Sequence, residues 1–261
     1  MPQAFVTTSW DDDDRGGLKI AELLTAHHLP GTFYVPTGKL GTDSRLSPSD
    51  LRNLSGAGFE IGAHTVSHPL LPNLNHDDLI REVSECKKAL QQIISAEVTM
   101  FCYPRGRCNS EVIKAVKDAG YRGARGAQML AYSSAVDPFA IPVTIQAYPH
   151  RRSNYIRSLL RRRAYRALLK ATPDLVRGQD WLPLGRTMFD RVLRHGGIWH
   201  VYGHSAEIEK LNLWGQVRQM LEYVSHRSNV VYITNGQIID LLKEHGSDAA
   251  FAKQRAAGRL G

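Results

Sequence analysis

Short apolar runs alternate along the chain with longer segments in which apolar residues recur every three or four positions. The alternation begins with a β-branched and aromatic run over Ala4–Trp10, a helical pattern over Gly17–His28 and a second apolar run over Thr32–Val35. It resumes with a helical pattern over Leu184–His195 and an apolar run over Ile198–Tyr202. This order predicts a mostly parallel sheet with helices outside it, either an open doubly wound sheet or a barrel.

Capping residues and glycines mark where further helices begin and end. Ser47 followed by Pro48 is predicted to open a helix that Gly56 closes, and Asn75 is predicted to open a long helix toward Ala96. The remaining predicted strands are Phe59–Ile61, Val98–Tyr103 and Val230–Ile233, and the remaining predicted helices are Asn109–Ala119, Trp214–His226 and one from Asn235.

Charged and imidazole side chains follow several predicted strands. The acidic run Asp11–Asp14 follows the first strand, and His64 and His204 each follow a later one. Reactive groups gather where the strands of a parallel sheet or barrel end, so we expect these side chains to share a site. Four adjacent carboxylates repel one another, so the run is either held by a metal ion or forms a solvated acidic loop.

The histidines differ in what their neighbours predict. His64 and His68 lie four residues apart, between Gly62 and Pro69, which makes a long helix there unlikely. Two imidazoles and one aspartate leave open positions on a metal, as in a catalytic rather than a structural site. His200 lies within a predicted strand and is interpreted as a core histidine bonded to a backbone carbonyl. His204 follows that strand, so we expect it to be exposed and able to act as an acid.

The composition predicts one large domain with a substantial core, since the chain has 261 residues, 43% of them hydrophobic. No apolar stretch approaches the ~20 residues needed to cross a bilayer, and the first residues form a strand rather than a signal sequence. The three cysteines, Cys86, Cys102 and Cys108, lack metal-ligand spacing and indicate a reducing compartment. We therefore expect a cytoplasmic protein, which could also lie peripherally at the inner face of the membrane.

The excess positive charge is confined to one segment. Eight arginines and Lys170 against Asp174 give residues Arg151–Arg177 a net charge of +8, the formal charge of the whole chain. Within it, Asn154–Lys170 has an apolar stripe at helical spacing and predicts an amphipathic helix. This helix could pack on the barrel with a solvated basic face, dock on an anionic membrane, or hold an acidic glycan or a pyrophosphate-linked lipid carrier.

In their order along a chain of alternating strands and helices, these motifs resemble those of the polysaccharide deacetylase family, carbohydrate esterase family 4. Ser9–Asp12 resembles the first motif, His64–His68 the second, Tyr103–Gly106 the third, Gln179–Trp181 the fourth and Tyr202–His204 the fifth. The resemblance implies a distorted, incomplete (β/α) barrel. It also implies metal-assisted removal of an acetyl group from an N- or O-acetylated sugar.

The resemblance assigns roles to individual residues. Asp12, His64 and His68 would bind a divalent metal, zinc before cobalt or nickel, while Asp11 would be the general base and His204 the general acid. The list of implied substrate contacts is Tyr103, Arg105, whose backbone N–H would hold the oxyanion, and Trp181, which would line the acetyl pocket.

Two positions depart from the family pattern. Asp13 stands where the family has Gly, so the turn after the two aspartates must be made differently, and we interpret Asp13 and Asp14 as solvated bystanders. Cys102 stands where the family has the Arg that orients the base. Arg105 and Arg107 are the candidates to restore that positive charge.

We therefore expect a catalytic domain over 1–245, with a basic helical insertion at 150–178 and a frayed tail at 246–261. The expected function is deacetylation of a sugar, oligosaccharide or lipid-linked glycan in bacterial surface polysaccharide biosynthesis. The alternatives are hydrolysis of another C–N bond, as in a cyclic ureide or formamide, and a catalytically silent module that binds an anionic glycan or membrane through 151–170. We expect no nucleic-acid partner.

Overall fold

The first strand, β1, lies at the centre of a single sheet of parallel strands in a computed structural model that describes residues 3–133, 136–161 and 180–244. The strands are β1 Ala4–Asp11, β2 Thr32–Val35, β3 Glu60–Ala63, β4 Met100–Cys102, β5 Gly123–Arg125, β6 Ile145–Gln146, β7 Gly197–His204 and β8 Val230–Tyr232. The helices are α1 Gly16–Ala26, α2 Pro48–Gly56, α3 His76–Ile94, α4 Ser110–Asp118, α5 Arg152–Arg161, α6 Trp181–His195, α7 Ser205–Lys210, α8 Trp214–Val224 and α9 Asn235–Glu244.

The strand order is β5-β4-β3-β2-β1-β7-β6, and β8 pairs with β1 beside this path. β1 pairs with β7 over its whole length, with β8 over its first three residues and with β2 over its last three. At the edges, Ile141 bridges to Arg125 of β5, and β6, a few residues later, pairs with β7. One segment thus contacts both edges, and the sheet curls into the incomplete (β/α) barrel that was predicted.

The predicted capping residues explain where the long helices begin. Ser47 forms a capping box with Asp50 at the start of α2, and the Asn75 side chain accepts a hydrogen bond from the Asp78 backbone N–H at the start of α3. Both predictions are confirmed. β2 is buried on both faces, as expected for a strand of a parallel sheet covered by helices, since all four of its residues are buried.

His200 lies inside the barrel, as predicted. Its Nδ1 donates to the Pro142 carbonyl at 3.1 Å, so its Nε2 accepts from the Ser9 hydroxyl at 2.8 Å. Burial lowers the pKa of His200 to about 3, which keeps the ring neutral. The residue is a satisfied core histidine and lies on the inner side of β7 beside β1.

The first part of the predicted basic helix lies within the described residues and is helical. α5 begins at Arg152, and it buries Tyr155 and Ser158, whose hydroxyl donates to the Met129 carbonyl at 2.9 Å. Ile156 and Leu160, which belong to the predicted apolar stripe, are 40% and 47% exposed. The face that packs is therefore offset from the apolar stripe, because a hydroxyl with a backbone partner is readily buried. The rest of the predicted helix, Gln179 and the predicted tail 246–261 lie outside the described residues.

Sequence patterns missed the shortest elements. β5 and β6 have three and two residues, too few to show a period, and α7 has six. α6 begins at Trp181, three residues before the predicted start. Among the described residues, no helix combines the length and the apolar character needed to cross a bilayer.

Candidate active site

The backbone turns sharply at the carboxyl end of β1. The Asp12 N–H still donates to the Tyr34 carbonyl at 3.0 Å, as in a strand, but the φ of Asp12 is +76°. Aspartate tolerates this left-handed conformation better than most residues with a β-carbon. The turn predicted to need an alternative to glycine is therefore made at Asp12 itself, and the Asp11 and Asp12 carboxylates reach one site in different directions.

Asp12, His64 and His68 come together as the sequence predicts for metal ligands. The Asp12 Oδ1 lies 3.9 Å from the His64 Nε2 and 3.8 Å from the His68 Nε2, and one donor atom from each of the three lies within 4.8 Å of the others. A tetrahedral ion with bonds of about 2.1 Å places its donors about 3.4 Å apart, so the three donors are close to the spacing that zinc requires.

The protonation of His64 also suits a metal. Its Nδ1 donates to the Cys102 carbonyl at 2.8 Å, which leaves the Nε2 lone pair directed toward Asp12. Burial lowers the pKa of His64 to about 4, so the imidazole is neutral near pH 7. This donor set and its outer hydrogen bond fit a divalent metal.

The loop that carries His68 is held by a residue the sequence did not single out. Glu82, buried on α3, accepts hydrogen bonds from the backbone N–H groups of Val66 and Ser67, both at 2.8 Å, and from the Ser67 hydroxyl. His68 itself has a φ of +59°, and its N–H donates to the Thr65 hydroxyl. The signal that could have found Glu82 is an acid on the apolar face of a helix.

A second donor cluster, Asp11, His64 and Cys102, shares His64 with the first. The guanidinium of Arg125 contacts the Asp11 Oδ2 in this cluster, so a cation placed there would be repelled. Burial also raises the pKa of the Cys102 thiol well above its usual value, so the thiolate that a metal prefers is disfavoured. The cluster with Asp12 is therefore the better metal site.

Arg125 holds Asp11, and this corrects the sequence prediction. It is the last residue of β5, 1% exposed, and in the sheet it is level with Cys102 of β4. The positive charge lost at Cys102 is therefore restored from the neighbouring strand, because the two positions are adjacent across the sheet. Arg105 and Arg107, which were the predicted candidates, have exposed side chains.

The electrostatics of Asp11 suit a base. Burial alone would raise its pKa, but Arg125 and the nearby imidazoles hold the pKa below its ordinary value. Its Oδ2 is engaged by Arg125, whereas its buried Oδ1 has no hydrogen-bond partner among the described residues. Asp11 is thus an ionised carboxylate with one oxygen free to accept a proton.

His204 lies near the same oxygen of Asp11 that Arg125 contacts. Its Nε2 is 3.7 Å from the Asp11 Oδ2, and its Nδ1 donates to the Glu207 Oε2 at 2.8 Å. Burial would lower the pKa of His204, but the Glu207 hydrogen bond and the carboxylates of Asp11 and Asp12 raise it to about 9. The imidazole is therefore protonated near neutral pH and can give up a proton. Glu207 was not predicted, although its position three residues after His204, at a helix start, was a signal.

The other predicted residues are defined by their own contacts, backbone conformation and burial. The Tyr103 hydroxyl donates to the Phe139 carbonyl at 3.0 Å, so its side chain is committed to packing. Arg105 lies in a 3-10 turn over Pro104–Gly106 and has a φ of +54°. Trp181 is 1% exposed at the start of α6, where the Asp180 carboxylate accepts from the Trp181 backbone N–H.

Asp13 is not the solvated bystander that was predicted. It is 2% exposed, and its Oδ1 forms an ion pair with the Arg45 Nη1 at 2.6 Å. The pair ties the turn after β1 to the segment before α2, where Leu46 N–H also donates to the Asp13 carbonyl. Burial of the carboxylate is compensated by this cation. A pocket of about 210 Å³ lies here, and Asp12, His68, Lys39 and Arg45 are among the residues that line it.

Comparison with protein families matches the N-terminal part of the chain. Residues 1–124 match the family model described as polysaccharide deacetylase. A chitooligosaccharide deacetylase of Sinorhizobium fredii is 27% identical over 103 residues, which are 39% of this chain and 46% of that protein. A peptidoglycan-N-acetylglucosamine deacetylase of Bacillus cereus is 27% identical over 122 residues, 46% of this chain and 55% of that protein. The chain spans less than two thirds of the length of these curated relatives.

Solved structures match nearly the whole chain in fold. A Mycobacterium smegmatis protein classed with the polysaccharide deacetylases superposes with a TM-score of 0.63 at 16% identity, covering 94% of this chain and 91% of that one. A family 4 carbohydrate esterase of Streptomyces lividans, in complex with acetate, gives a TM-score of 0.54 at 14% identity, covering 88% and 92%. The shared barrel thus extends beyond the matched family region, which ends just before Arg125.

Proposed function

We propose that this chain, whose residues 1–124 belong to the polysaccharide deacetylase family, is a metal-dependent hydrolase that removes an acetyl group from an N- or O-acetylated sugar. The observation that carries the proposal is the position of Asp11. Its Oδ1 has no partner among the described residues, and it lies close to His64, one of the three proposed metal ligands, and to the protonated imidazole of His204. A base, an acid and a metal site around one point are what hydrolysis of an amide requires.

The residues divide the reaction as follows. Asp12, His64 and His68 would hold a divalent metal, which would supply polarisation of the acetyl carbonyl and make a water molecule more acidic. Asp11 accepts a proton from the water through its Oδ1 as the water oxygen attacks the acetyl carbon. As the C–N bond breaks, its electron pair passes to the sugar nitrogen, which takes the proton from the His204 Nε2. The products are acetate and the free amino sugar.

Two further roles remain proposals from the family resemblance. The backbone N–H of Arg105 would hold the oxyanion of the tetrahedral intermediate, since a fixed amide at this position stabilises developing negative charge without reorganising. Trp181 would form the wall of the acetyl pocket. The pocket beside Asp12 and His68 supports a sugar substrate, because it opens directly on the metal-ligand side chains.

Acetate release tests the proposal. The protein is dialysed against a chelator, reloaded with zinc, and offered N-acetylglucosamine oligomers and peptidoglycan fragments. We expect stoichiometric metal, acetate release that depends on it, and loss of release in Asp11→Asn and His204→Ala. The Lys117→Gln variant, on the exposed face of α4, is the control. Stoichiometric metal without acetate from any sugar would contradict the proposal and point to another C–N bond.

We also propose that the reaction takes place on the cytoplasmic side, in assembly of a bacterial surface polysaccharide, with peripheral contact to an anionic membrane. The support is the exposure of Arg151, Arg152 and Arg157 around the start of α5. Flotation with liposomes containing anionic lipid tests it. We expect co-flotation that weakens when these three arginines are changed to glutamine, and equal flotation of both proteins would contradict it.

A further inference from the structure

The hydrogen bonds behind His204 continue past Glu207 into the barrel. The Gln146 Nε2 donates to the Glu207 Oε2 at 3.0 Å, on the same oxygen that His204 contacts. The Gln146 Oε1 in turn accepts from the Tyr202 hydroxyl at 2.6 Å and from the His150 Nε2 at 2.7 Å. The Gln146 Nε2 also lies 3.4 Å from the His204 Nδ1, so the side chain has four partners, and its residue is 6% exposed.

Only one orientation of the Gln146 amide satisfies these partners. A carboxylate accepts hydrogen bonds and does not donate, so the Gln146 NH₂ group must face Glu207. His150 is consistent with this orientation, because its Nδ1 is close to the Asn154 Nδ2, at 3.2 Å, and accepts from it. The His150 Nε2 therefore carries the hydrogen and donates to the Gln146 Oε1. The donors of the series thus lead to the Glu207 Oε2, which also accepts from the His204 Nδ1.

The side chains of Glu207 and Gln146 differ in how many rotamers they can adopt. The side chain of Glu207 is 39% exposed, and a long exposed carboxylate has many rotamers. Gln146 lies on β6, inside the barrel, and its rotamer is fixed by Tyr202 and His150. A hydrogen bond from a fixed, buried donor restricts Glu207 to the rotamer that also contacts the His204 Nδ1.

We propose that Gln146 is a positioning residue of the deacetylation: it holds Glu207 in place and thereby directs the His204 Nε2 toward the leaving nitrogen. This inference rests on the proposed function. It assigns to β6, a strand of two residues, the task of aligning the acid. Asn154, in the first turn of α5, extends the same series to the basic helix.

Two substrates separate alignment of the acid from general damage. An N-acetyl sugar needs a proton on its leaving nitrogen, whereas 4-nitrophenyl acetate releases a stable phenolate that needs none. In Gln146→Met, which keeps the length of the side chain and removes its hydrogen bonds, we expect the ratio of amide to ester hydrolysis to fall by about tenfold, with the change in kcat rather than KM.

The matched control is Gln91→Met. Gln91 lies on α3 and accepts a single hydrogen bond from the Val98 backbone N–H, away from the site. We expect its ratio of amide to ester hydrolysis to equal that of the wild type. Equal losses of both rates in Gln146→Met, or no loss of either, would overturn the proposal.

A proton NMR measurement on the metal-free protein does not depend on activity. The Nδ1–H of His204, identified by its loss in His204→Ala, should give a downfield signal that exchanges slowly in the wild type and in Gln91→Met. In Gln146→Met the signal should broaden or vanish, and a signal as sharp as in the wild type would overturn the proposal. If the wild type releases no acetate from any sugar, the proposed function fails while this measurement still decides whether Gln146 holds the imidazole.

Discussion

The residues that hold the base Asp11 and those that hold the acid His204 form a base side and an acid side of the site, and the two are built in different ways. On one side, Arg125 and Asp11 form an ion pair in which both side chains are almost fully buried. On the other side, His204 and Glu207 are 24% and 39% exposed and are held by hydrogen bonds that end on the neutral Gln146. The base is therefore held by a buried ion pair, and removing one partner of such a pair lowers stability strongly. The acid is held by hydrogen bonds, so we expect changes there to affect the reaction more than the fold.

The two sides meet at Tyr202. The Arg125 guanidinium lies 4.6 Å from the centre of the Tyr202 ring, and the Tyr202 hydroxyl donates to Gln146. One side chain of β7 therefore packs against the cation that holds the base and contacts the residue that aligns the acid. We expect changes on the two sides to be non-additive when both are made.

The largest expected effect is a loss of activity in variants of the base and the acid, and the two variants should differ in which substrate they still hydrolyse. Asp11→Asn should lower kcat for an N-acetyl sugar by about 10²–10⁴-fold, and His204→Ala should have an effect of similar size. With 4-nitrophenyl acetate, Asp11→Asn should still be impaired, because the water still needs a base, whereas His204→Ala should recover most of its rate. Steady-state kinetics with both substrates measure this. Equal losses of ester hydrolysis in the two variants would contradict the separate roles of Asp11 as base and His204 as acid.

The next effect is on stability. Arg125→Met should lower the free energy of unfolding by about 3–5 kcal/mol, because it leaves the Asp11 carboxylate buried without its cation. Urea denaturation measures the change. Arg105→Met, whose side chain is exposed, is the matched control and should change stability by less than about 0.5 kcal/mol. Similar losses in the two variants would show that Arg125 does not carry the buried charge pair.

Arg125→Met should also shift the pH dependence of activity to higher pH. In the wild type the pKa of Asp11 is held below its ordinary value, so the carboxylate is available as a base, and its contribution to stability is lost only as the pH falls through that low pKa. Without the cation, burial dominates and raises this pKa. The acid limb of the activity profile should therefore move to higher pH, and a limb that does not move would contradict the assignment of the base.

A smaller effect should appear on the acid side. Glu207→Gln removes the hydrogen-bonded carboxylate, so the pKa of His204 should fall from about 9 toward its ordinary value. In the wild type this raised pKa contributes stability that is fully present below about pH 6.5 and is lost as the pH rises through about 9. NMR titration of the metal-free protein measures the pKa, and urea midpoints across this window should decline less in the variant. An unchanged pKa would remove Glu207 from the acid side.

The smallest expected effect is a change in stability at the ion pair of Asp13 and Arg45. Asp13→Asn should lower stability by about 1 kcal/mol, since Arg45 is partly exposed and the pair is screened by solvent. Asp14→Asn is the control, because its contact with Arg45 is longer, at 3.5 Å, and more exposed. Urea denaturation should rank Asp13→Asn below Arg125→Met and above Asp14→Asn in stability loss, and the reverse order would contradict the difference in burial.

The sequence was enough for the parts whose residue types follow strand ends. An aspartate of the acidic run could be proposed as a metal ligand together with His64 and His68 because these ligand types follow predicted strands, and the family resemblance selected Asp12. The parallel barrel and the long helices followed from strong periodicity and from capping residues such as Ser47 and Asn75.

The sequence was not enough for residues whose roles depend on neighbouring strands. Arg125 lies in a three-residue strand, and nothing in its sequence neighbours indicates that it is buried. Its role becomes clear only from its register with Cys102. Gln146 and Glu207 are polar residues of ordinary type, and their proposed roles follow only from their contacts with each other and with His204. A pattern along one chain does not contain such lateral relations, since register is set by pairing across the sheet.

The pairing of β1 has a consequence for how the protein loses its catalytic power on heating. Backbone amides in a strand with partners on both sides exchange their hydrogens only in large-scale openings. β1 is paired with β7 throughout and with β8 and β2 at its two ends, and Asp11 is its last residue. The base is thus carried on the segment expected to have the slowest amide exchange, and thermal inactivation should coincide with global melting rather than precede it.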